Sequence, residues 1–290
     1  MGGGIYRPAV RYRFRAALDK DNNVIGYTLR GVGMNTPNST REDNFPSGAI
    51  DNLLIDSTEH KTPITVGPWR APITNFLAFA EQSFLDEVAV AAGKDPVQLR
   101  LDLLDKAKKA PAGAIKYDID RTRKVIELAA EKSGWFKKRK GVYLGFSVYF
   151  SHASYVAQVA EVILQKGKPV LQKVYAAVDC GIVVNESGAR QQVVGSVVDG
   201  LGHAMYGNLT FKNGEPQQKN FSSYRLIRFN EIPEVEVHFV NNGIEPTGLG
   251  EPALPPLGAA VANAIFKATG KRLRNQPFVE QEEQLLEKFS

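Results

Sequence analysis

The residue best suited to chemistry in this 290-residue sequence is Glu251, held in the run Gly248-Leu249-Gly250-Glu251-Pro252. Glycines at 243, 248 and 250 permit positive φ and a close approach of backbone to a ligand. Pro252, Pro255 and Pro256 remove backbone donors and stiffen the chain beyond the acid. The acid stands ahead of an Ala-rich helix, whose positive end favours a carboxylate. A carboxylate with so little side-chain cover suits a general base. It also suits a helix cap or first-turn acid that offsets the dipole, and spacing alone leaves both readings open. A second cluster is Asp179-Cys180-Gly181, followed by Asn185 and a helix that carries Gln192 together with Gly188, Gly195, Gly200 and Gly202. Each glycine costs a helix interior roughly 0.5–1 kcal/mol, so several in one helix point to close packing or to a ligand on its surface. Cys180 suits a small buried apolar residue as well as a reactive one. The third cluster is Trp69-Arg70 in the stiff turn Gly67-Pro68-Trp69-Arg70-Ala71-Pro72. Trp69 equally suits a core position, and Arg70 a surface or carboxylate-paired one. The histidines (His60, His152, His203, His238) lack metal-ligand spacing and read as ordinary. A dinucleotide fingerprint, a P-loop and a G-x-S-x-G elbow are all missing from the sequence.

Elements able to position these residues emerge from the hydrophobic pattern. Arg11–Leu18 and Val24–Val32 alternate around Asp19-Lys20-Asp21-Asn22-Asn23 and predict a hairpin. Residues 35–63 are polar and predict a long irregular surface excursion. Thr74 or Asn75 is the expected cap of a helix whose apolar set (Phe76, Leu77, Phe79, Ala80, Phe84, Val88, Ala91) has a 3.6-residue period and ends at Gly93. Asp95-Pro96 starts another helix, with aspartate as cap and proline in the first turn. A third runs from Asp120 to Lys132. Strands are expected at Ser154–Leu164, Val170–Val178 and Glu234–Val240, and a hairpin turn at Lys212-Asn213-Gly214-Glu215. Ser187 is the expected cap of a helix through Tyr206, and Leu257–Thr269 forms the last, stopped by Gly270. Strands and helices mix without a regular βαβ rhythm, so the expected class is α+β. The linker rich in Ala, Pro, Lys and Gly at 108–120 divides the chain into two mixed α/β lobes, 1–115 and 116–290.

Composition excludes some function classes. Hydrophobic residues make up 43% and charged residues 23%, an ordinary globular balance. No window approaches the roughly 18 apolar residues of a membrane span, and the N-terminal residues hold no apolar signal core. The net charge of +5 gathers at Lys137-Lys138-Arg139-Lys140 and Lys271-Arg272-Leu273-Arg274. These short runs lack interleaved aromatics for base stacking, so they read as solvated surface and not as a nucleic-acid groove. One cysteine allows no internal disulfide. It also allows no thiolate-held iron–sulfur cluster within this chain, which takes about four cysteines.

The three clusters occur together and in order in one family. Gly67–Pro72 through Ala78-Phe79-Ala80-Glu81-Gln82-Ser83-Phe84-Leu85-Asp86-Glu87, then Ala92-Gly93-Lys94-Asp95-Pro96, resembles the xanthine dehydrogenase family of molybdenum hydroxylases. Asp179-Cys180-Gly181 through Gln192-Val193-Val194-Gly195 resembles a later cofactor segment of that family. Gly248–Pro252 with Ala262-Asn263-Ala264-Ile265 resembles its catalytic Gly-Glu-Pro segment. The nearest type is the isoquinoline 1-oxidoreductase β-subunit, also known as membrane-bound aldehyde dehydrogenase, and the similarity runs from Tyr6 to Pro277. The resemblance implies a molybdenum centre held by a molybdopterin dithiolene. A glutamate takes the proton from Mo–OH, the oxygen attacks an electron-poor carbon of an N-heterocycle or aldehyde, and hydride passes to a sulfido ligand. It implies that Glu251 is that base and that Gln192 hydrogen-bonds the pterin. It also implies that the Arg70 backbone amide lies near the molybdenum oxygens, that Gly250 and Gly181 belong to the cofactor site, and that Trp69 lines the substrate pocket.

Family members of this type are far longer, with upstream cofactor segments that this sequence lacks; Met1-Gly2-Gly3-Gly4 resembles the end of a Gly-Gly-Gly-Phe-Gly-Arg turn. The expectation is therefore the end of one molybdopterin-binding domain (1–115) and part of a second (116–290), with the upstream half missing. The expected partners are that upstream half or subunit, a subunit with a [2Fe–2S] cluster and a small-molecule substrate. The compartment stays open between cytoplasm and periplasm. Two other readings stand beside this one: a cofactor-free truncated fragment or interaction module, and a carboxylate-dependent hydrolase that uses Glu251.

Overall fold

The computed structural model describes residues 4–42 and 44–279; Met1-Gly2-Gly3 of the expected glycine turn lies outside them. Strands β1 (Val10–Leu18) and β2 (Val24–Met34) form the expected antiparallel hairpin. The Asp19 carboxylate closes its turn by accepting from the Asp21 and Asn23 amides at 2.9 and 2.8 Å. A third strand, β3 (Asn52–His60), pairs with β2 in parallel and corrects the expectation of an irregular 35–63. It is an edge strand with only Ile55 buried, so polar side chains at its other positions hid its alternation.

Helices α1 (Thr74–Ala91), α2 (Pro96–Lys109) and α3 (Ile119–Ser133) come next. Asp95 caps α2 as expected, accepting from the Val97 and Gln98 amides at 2.9 and 3.1 Å. Asp118 caps α3, which begins one residue before the expected Asp120, and Gly134 closes it in the left-handed conformation. Neither Thr74 nor Asn75 caps α1. Ile73 holds that position at φ 65° without a side-chain bond. The two polar residues turn back into the preceding loop instead: the Thr74 hydroxyl donates to Ala71 O, and the Asn75 amide to the Trp69 and Arg70 carbonyls.

The second sheet is built from β4 (Val142–Ser151), β5 (Ser154–Gln165) and β6 (Lys168–Asp179), antiparallel in turn. After it come α4 (Glu186–Tyr206), the small hairpin β7 (Phe211–Lys212) and β8 (Glu215–Pro216) at the expected Asn213-Gly214 turn, and β9 (Glu234–Phe239). Strand β9 lies parallel to β6 at the sheet edge. Asn185 caps α4 through the Gly188 amide at 2.9 Å; Ser187, expected as the cap, already lies inside the helix. Strand β5 is buried on both faces. Tyr155, Ala157 and Val159 share a cluster with Val125, Ile126 and Ala129 of α3. Ala160 and Val162 share another with α4 and α5 (Leu257–Thr269), and Val156 joins Val193 and Ala253. Such two-sided burial gives the apolar run from which this strand was legible. The largest cluster extends from Val24 to Ala177 and so includes residues on both sides of position 115.

Helix α5 sits against β4 and β5 at backbone distance. A Cβ at Gly145 would fall 2.1 Å from Ala264 N and 2.2 Å from Ala260 O. Asn263 fastens the helix from its buried face by donating to Phe146 O at 3.1 Å. The basic run 271–274 is not simply solvated surface. Arg272 pairs with buried Asp86 at 2.6 Å and stacks on Phe266, and Arg274 pairs with Glu87 at 2.8 Å. Among the described residues, no helix is long and apolar enough to cross a membrane.

Candidate active site

Three loops converge ahead of α5. The first is the turn into α1, where Ala71 and Ile73 both have positive φ. Strain of this kind in non-glycine residues costs of order 1–3 kcal/mol each and persists only where the surroundings over-determine it. Its effect is to send the Arg70 side chain across to the other two segments. The guanidinium donates to Gly250 O (Nε, 2.8 Å), to the Gln192 side-chain oxygen (Nη2, 3.3 Å) and to the Asp199 carboxylate. A Cβ at Gly195 would lie 3.9 Å from Arg70 Nη1, an ordinary contact, so the arginine passes directly over this turn of α4. Gly200 makes the parallel approach to Leu254 O, where a Cβ would stand at 3.1 Å. Gly200 and Gly202 therefore serve close packing, and Arg70 is carboxylate-paired.

The second loop is the segment 240–256. Gly181, at φ 72°, lets it run beside the end of β6; a Cβ there would meet Glu245 O at 2.2 Å. Backbone bonds from Ile182 N to Ile244 O and from Thr247 N to Cys180 O fasten the pair at 3.0 and 2.9 Å. The Asp179 side chain, fully buried, accepts from Arg121 at 2.7 Å and from Asn242 at 2.8 Å. Cys180 is buried, and burial pushes its thiol up, so it stays protonated in the wall. Two residues of β5 on one face then hold the stretch around Glu251. Ser154 Oγ meets Thr247 Oγ1 at 2.6 Å, and the buried Gln158 amide donates to Ala253 O at 2.7 Å.

Glu251 is neither cap nor first-turn acid. Pro256 occupies the cap position of α5, and the first turn of that helix contains no acid. The carboxylate belongs to a tight turn closed by Leu254 N to Glu251 O at 3.0 Å. The third loop reaches it here: His152 Nε2 lies 2.6 Å from Glu251 Oε2. No expectation from spacing covered this pair, because the partners sit in different loops and no local pattern links them. The structure corrects the reading of His152 as ordinary. Ser151 Oγ lies 2.8 Å from His152 Nδ1, which completes a Ser–His–Glu order. That order does not make a hydrolase, because Ser151 is only 1% exposed and cannot reach a substrate as a nucleophile.

The remaining expected residues separate into two groups. Arg70, Gln192, Gly250 and Glu251 are brought together by the contacts above. Gln192 is exposed; its oxygen faces Arg70 and its amide NH2 points away from that bond. A Cβ at Gly250 would meet nothing within 4 Å. Trp69 faces a neighbouring cavity, tilted against His203 at 4.9 Å between ring centroids and under the Arg7 guanidinium at 5.8 Å. Burial, with Arg7 adding to it, holds His203 well below the usual histidine range. Among the described residues no cluster of three His, Cys, Asp or Glu side chains could hold a metal ion.

A family model described as a molybdopterin cofactor-binding domain matches residues 87–233. The chain is 32% identical over 248 residues to the membrane-bound aldehyde dehydrogenase (pyrroloquinoline-quinone) of Gluconacetobacter polyoxogenes, covering 80% of this chain and 31% of that protein. It is 29% identical over 294 residues to the isoquinoline 1-oxidoreductase subunit beta of Brevundimonas diminuta, covering 94% of this chain and 36% of that protein. It thus spans about a third of the length of these curated relatives. Quinoline 2-oxidoreductase from Pseudomonas putida 86 shares the fold with a TM-score of 0.76 at 10% identity, over 96% of this chain and 62% of that one.

Proposed function

This chain belongs to the molybdopterin cofactor-binding domain family, and on that premise we propose that it bears the catalytic base of a molybdenum-dependent oxidoreductase. The substrate class is an electron-poor N-heterocycle or an aldehyde, after the relatives' names. One observation carries the reading. Arg70 fixes the carbonyl before Glu251, His152 occupies Oε2, and Oε1 remains, among the described residues, without a partner beside the open space at Gly250. A carboxylate held so, with one oxygen engaged and one free, can accept a proton at Oε1. General-base catalysis by a positioned side chain contributes typically about 10²–10⁴-fold.

The residues fit the cofactor. The exposed Gln192 amide retains NH donors for a pterin acceptor, and the space at Gly250 admits a group that a side chain would exclude. In this reading Gln192 donates to the pterin and the Arg70 backbone amide faces the metal's oxygen ligands. Gly250 gives room, and Gly181 acts by bringing the 244–248 segment into place. Trp69 would border the substrate from the neighbouring cavity that it shares with His203. When bound, the cofactor supplies metal-centred oxygen transfer and accepts the two electrons of substrate oxidation.

Two partners belong to the proposal. A [2Fe–2S] subunit takes the electrons, since the single cysteine here is buried and cannot ligate a cluster alone. An upstream molybdopterin-binding half or subunit completes the cofactor's enclosure, with 1–115 as the end of its domain and 116–290 as much of a second. The cofactor-free fragment is not favoured beside these relatives. The test is metal analysis of the chain purified after co-expression with both partners. Stoichiometric molybdenum is expected; none in any combination would contradict the proposal.

A further inference from the structure

The β4–β5 connection is a two-residue turn, His152-Ala153, between the paired Ser151 and Ser154. Both turn residues have positive φ, 52° and 58°. Tight hairpins of this kind favour Asn-Gly, because a left-handed conformation costs an ordinary residue roughly 1–2 kcal/mol. The histidine thus occupies a left-handed turn position, a conformation in which Asn, Asp and His are enriched. The backbone is over-determined around it. Gly248 N donates to His152 O at 3.0 Å, and a Cβ at Gly248 would stand 2.6 Å from His152 Cβ. The turn is thereby locked to the segment that carries Glu251.

The ring is oriented from its other side as well. Thr74 Oγ1 donates to Ala71 O at 3.1 Å and lies 3.3 Å from Ser151 Oγ, which lies 2.8 Å from His152 Nδ1. A 2.6 Å contact between Nε2 and a carboxylate oxygen requires a proton between them, because carboxylates only accept. On the other side of the ring the Ser151 hydroxyl meets Nδ1, with donor and acceptor set by the ring's tautomer. The chain of contacts therefore runs from the α1 turn, through Thr74 and Ser151, to His152 and Glu251. That same turn places Arg70 on Gly250 O.

We infer that His152 is the positioning residue of Glu251: its Nε2–H holds Oε2 and so aims Oε1 at the reacting proton. This rests on Glu251 as the base, and it adds a residue outside the three clusters that resemble the family. The pairing engages Oε2 in one orientation of the glutamate, with the half-exposed ring against one side of the carboxylate. Misplacement of a reacting group by about 1 Å can cost 10²-fold in rate. A lost positioning contact acts on the transition state and lowers kcat and kcat/KM together.

The test compares His152→Phe, His152→Gln and Glu251→Gln in the cofactor-loaded complex, with ring ¹⁵N NMR of His152 on the unloaded full chain. His152→Phe is expected to lower kcat about 10- to 100-fold, with KM, molybdenum content and Tm close to the parent's. His152→Gln, which keeps an NH donor, recovers most of the rate. In the unloaded chain, Glu251→Gln shifts the His152 ring resonances. Parental kcat in His152→Phe beside an inactive Glu251→Gln overturns the inference alone. So do equal losses in the Phe and Gln variants with lowered Tm, which mark a structural role, and ring resonances that ignore Glu251→Gln. Parental turnover in Glu251→Gln overturns the base, and this inference with it, even where the NMR contact persists.

Discussion

Replacing Gly145 by alanine tests how the sheet sets the position of the Glu251 segment. The added Cβ would stand 2.1 Å from Ala264 N and 2.2 Å from Ala260 O, both backbone atoms of α5. No side chain can rotate away, so the helix must withdraw by more than an ångström to reach ordinary contact. Overpacking alone costs typically about 1–3 kcal/mol. A gap of this size also forfeits about a quarter to a half of the dispersion well for atoms along the interface. All nine residues from Leu257 to Ile265 are buried, so that interface is extensive. The Asn263 bond to Phe146 O, next to Gly145, stretches beyond use and removes about 1 kcal/mol more. The expected loss is about 3–5 kcal/mol, read as a lower urea midpoint with m unchanged. Because α5 begins just after the Glu251 turn, cofactor retention should fall too. A loss below about 1 kcal/mol would refute the claim that backbone contact fixes this helix, since surface-like changes fall in that range.

Other substitutions separate space from scaffold. Gly250→Ala adds a Cβ that meets nothing within 4 Å, so the folded chain should keep its urea midpoint, while molybdenum content in the assembled complex falls severalfold; a stability loss above about 1 kcal/mol would show that the space is not open. Glu81 is buried, and burial raises its carboxyl to about 8 despite the Tyr149 hydrogen bond and Arg41. The folded state thus holds a proton that the unfolded chain releases, and stability is lost as pH rises from the ordinary carboxylate range through about 8. Glu81→Gln removes this dependence, so its Tm relative to the parent should climb between pH 5 and pH 9; a pH-independent difference would contradict the assignment.

The legible parts of this fold are those whose signals are local. Asp95-Pro96, the Asp19–Asn23 turn and the alternation of β1 and β2 act within a few residues, and each stands where expected. Helix α5 and the strands β5 and β6 were equally plain, because burial makes most of their residues apolar. The strand β3 was missed because an edge strand keeps polar residues, and β4 had no reading of its own. At α1 the polar residues at the start of the helix bond backwards, so the usual cap signal pointed at side chains with another task. The candidate site divides in the same way. Glu251, Arg70, Gln192, Gly250 and Gly181 stood out by local pattern, though not their mutual contacts. Arg70 meets Gln192 and Gly250 only across 122 and 180 residues of chain. His152 was passed over because a search for metal spacing asks about neighbours in sequence, whereas its partner comes from a different loop of the fold.

The most direct test of the central claim is turnover by Glu251→Gln in the assembled, molybdenum-loaded complex at saturating substrate. Glutamine keeps the shape and an oxygen for His152 to hold, but it cannot take the proton. The account predicts parental molybdenum content with kcat reduced by about 10²–10⁴-fold. Near-parental kcat at equal metal content would contradict it.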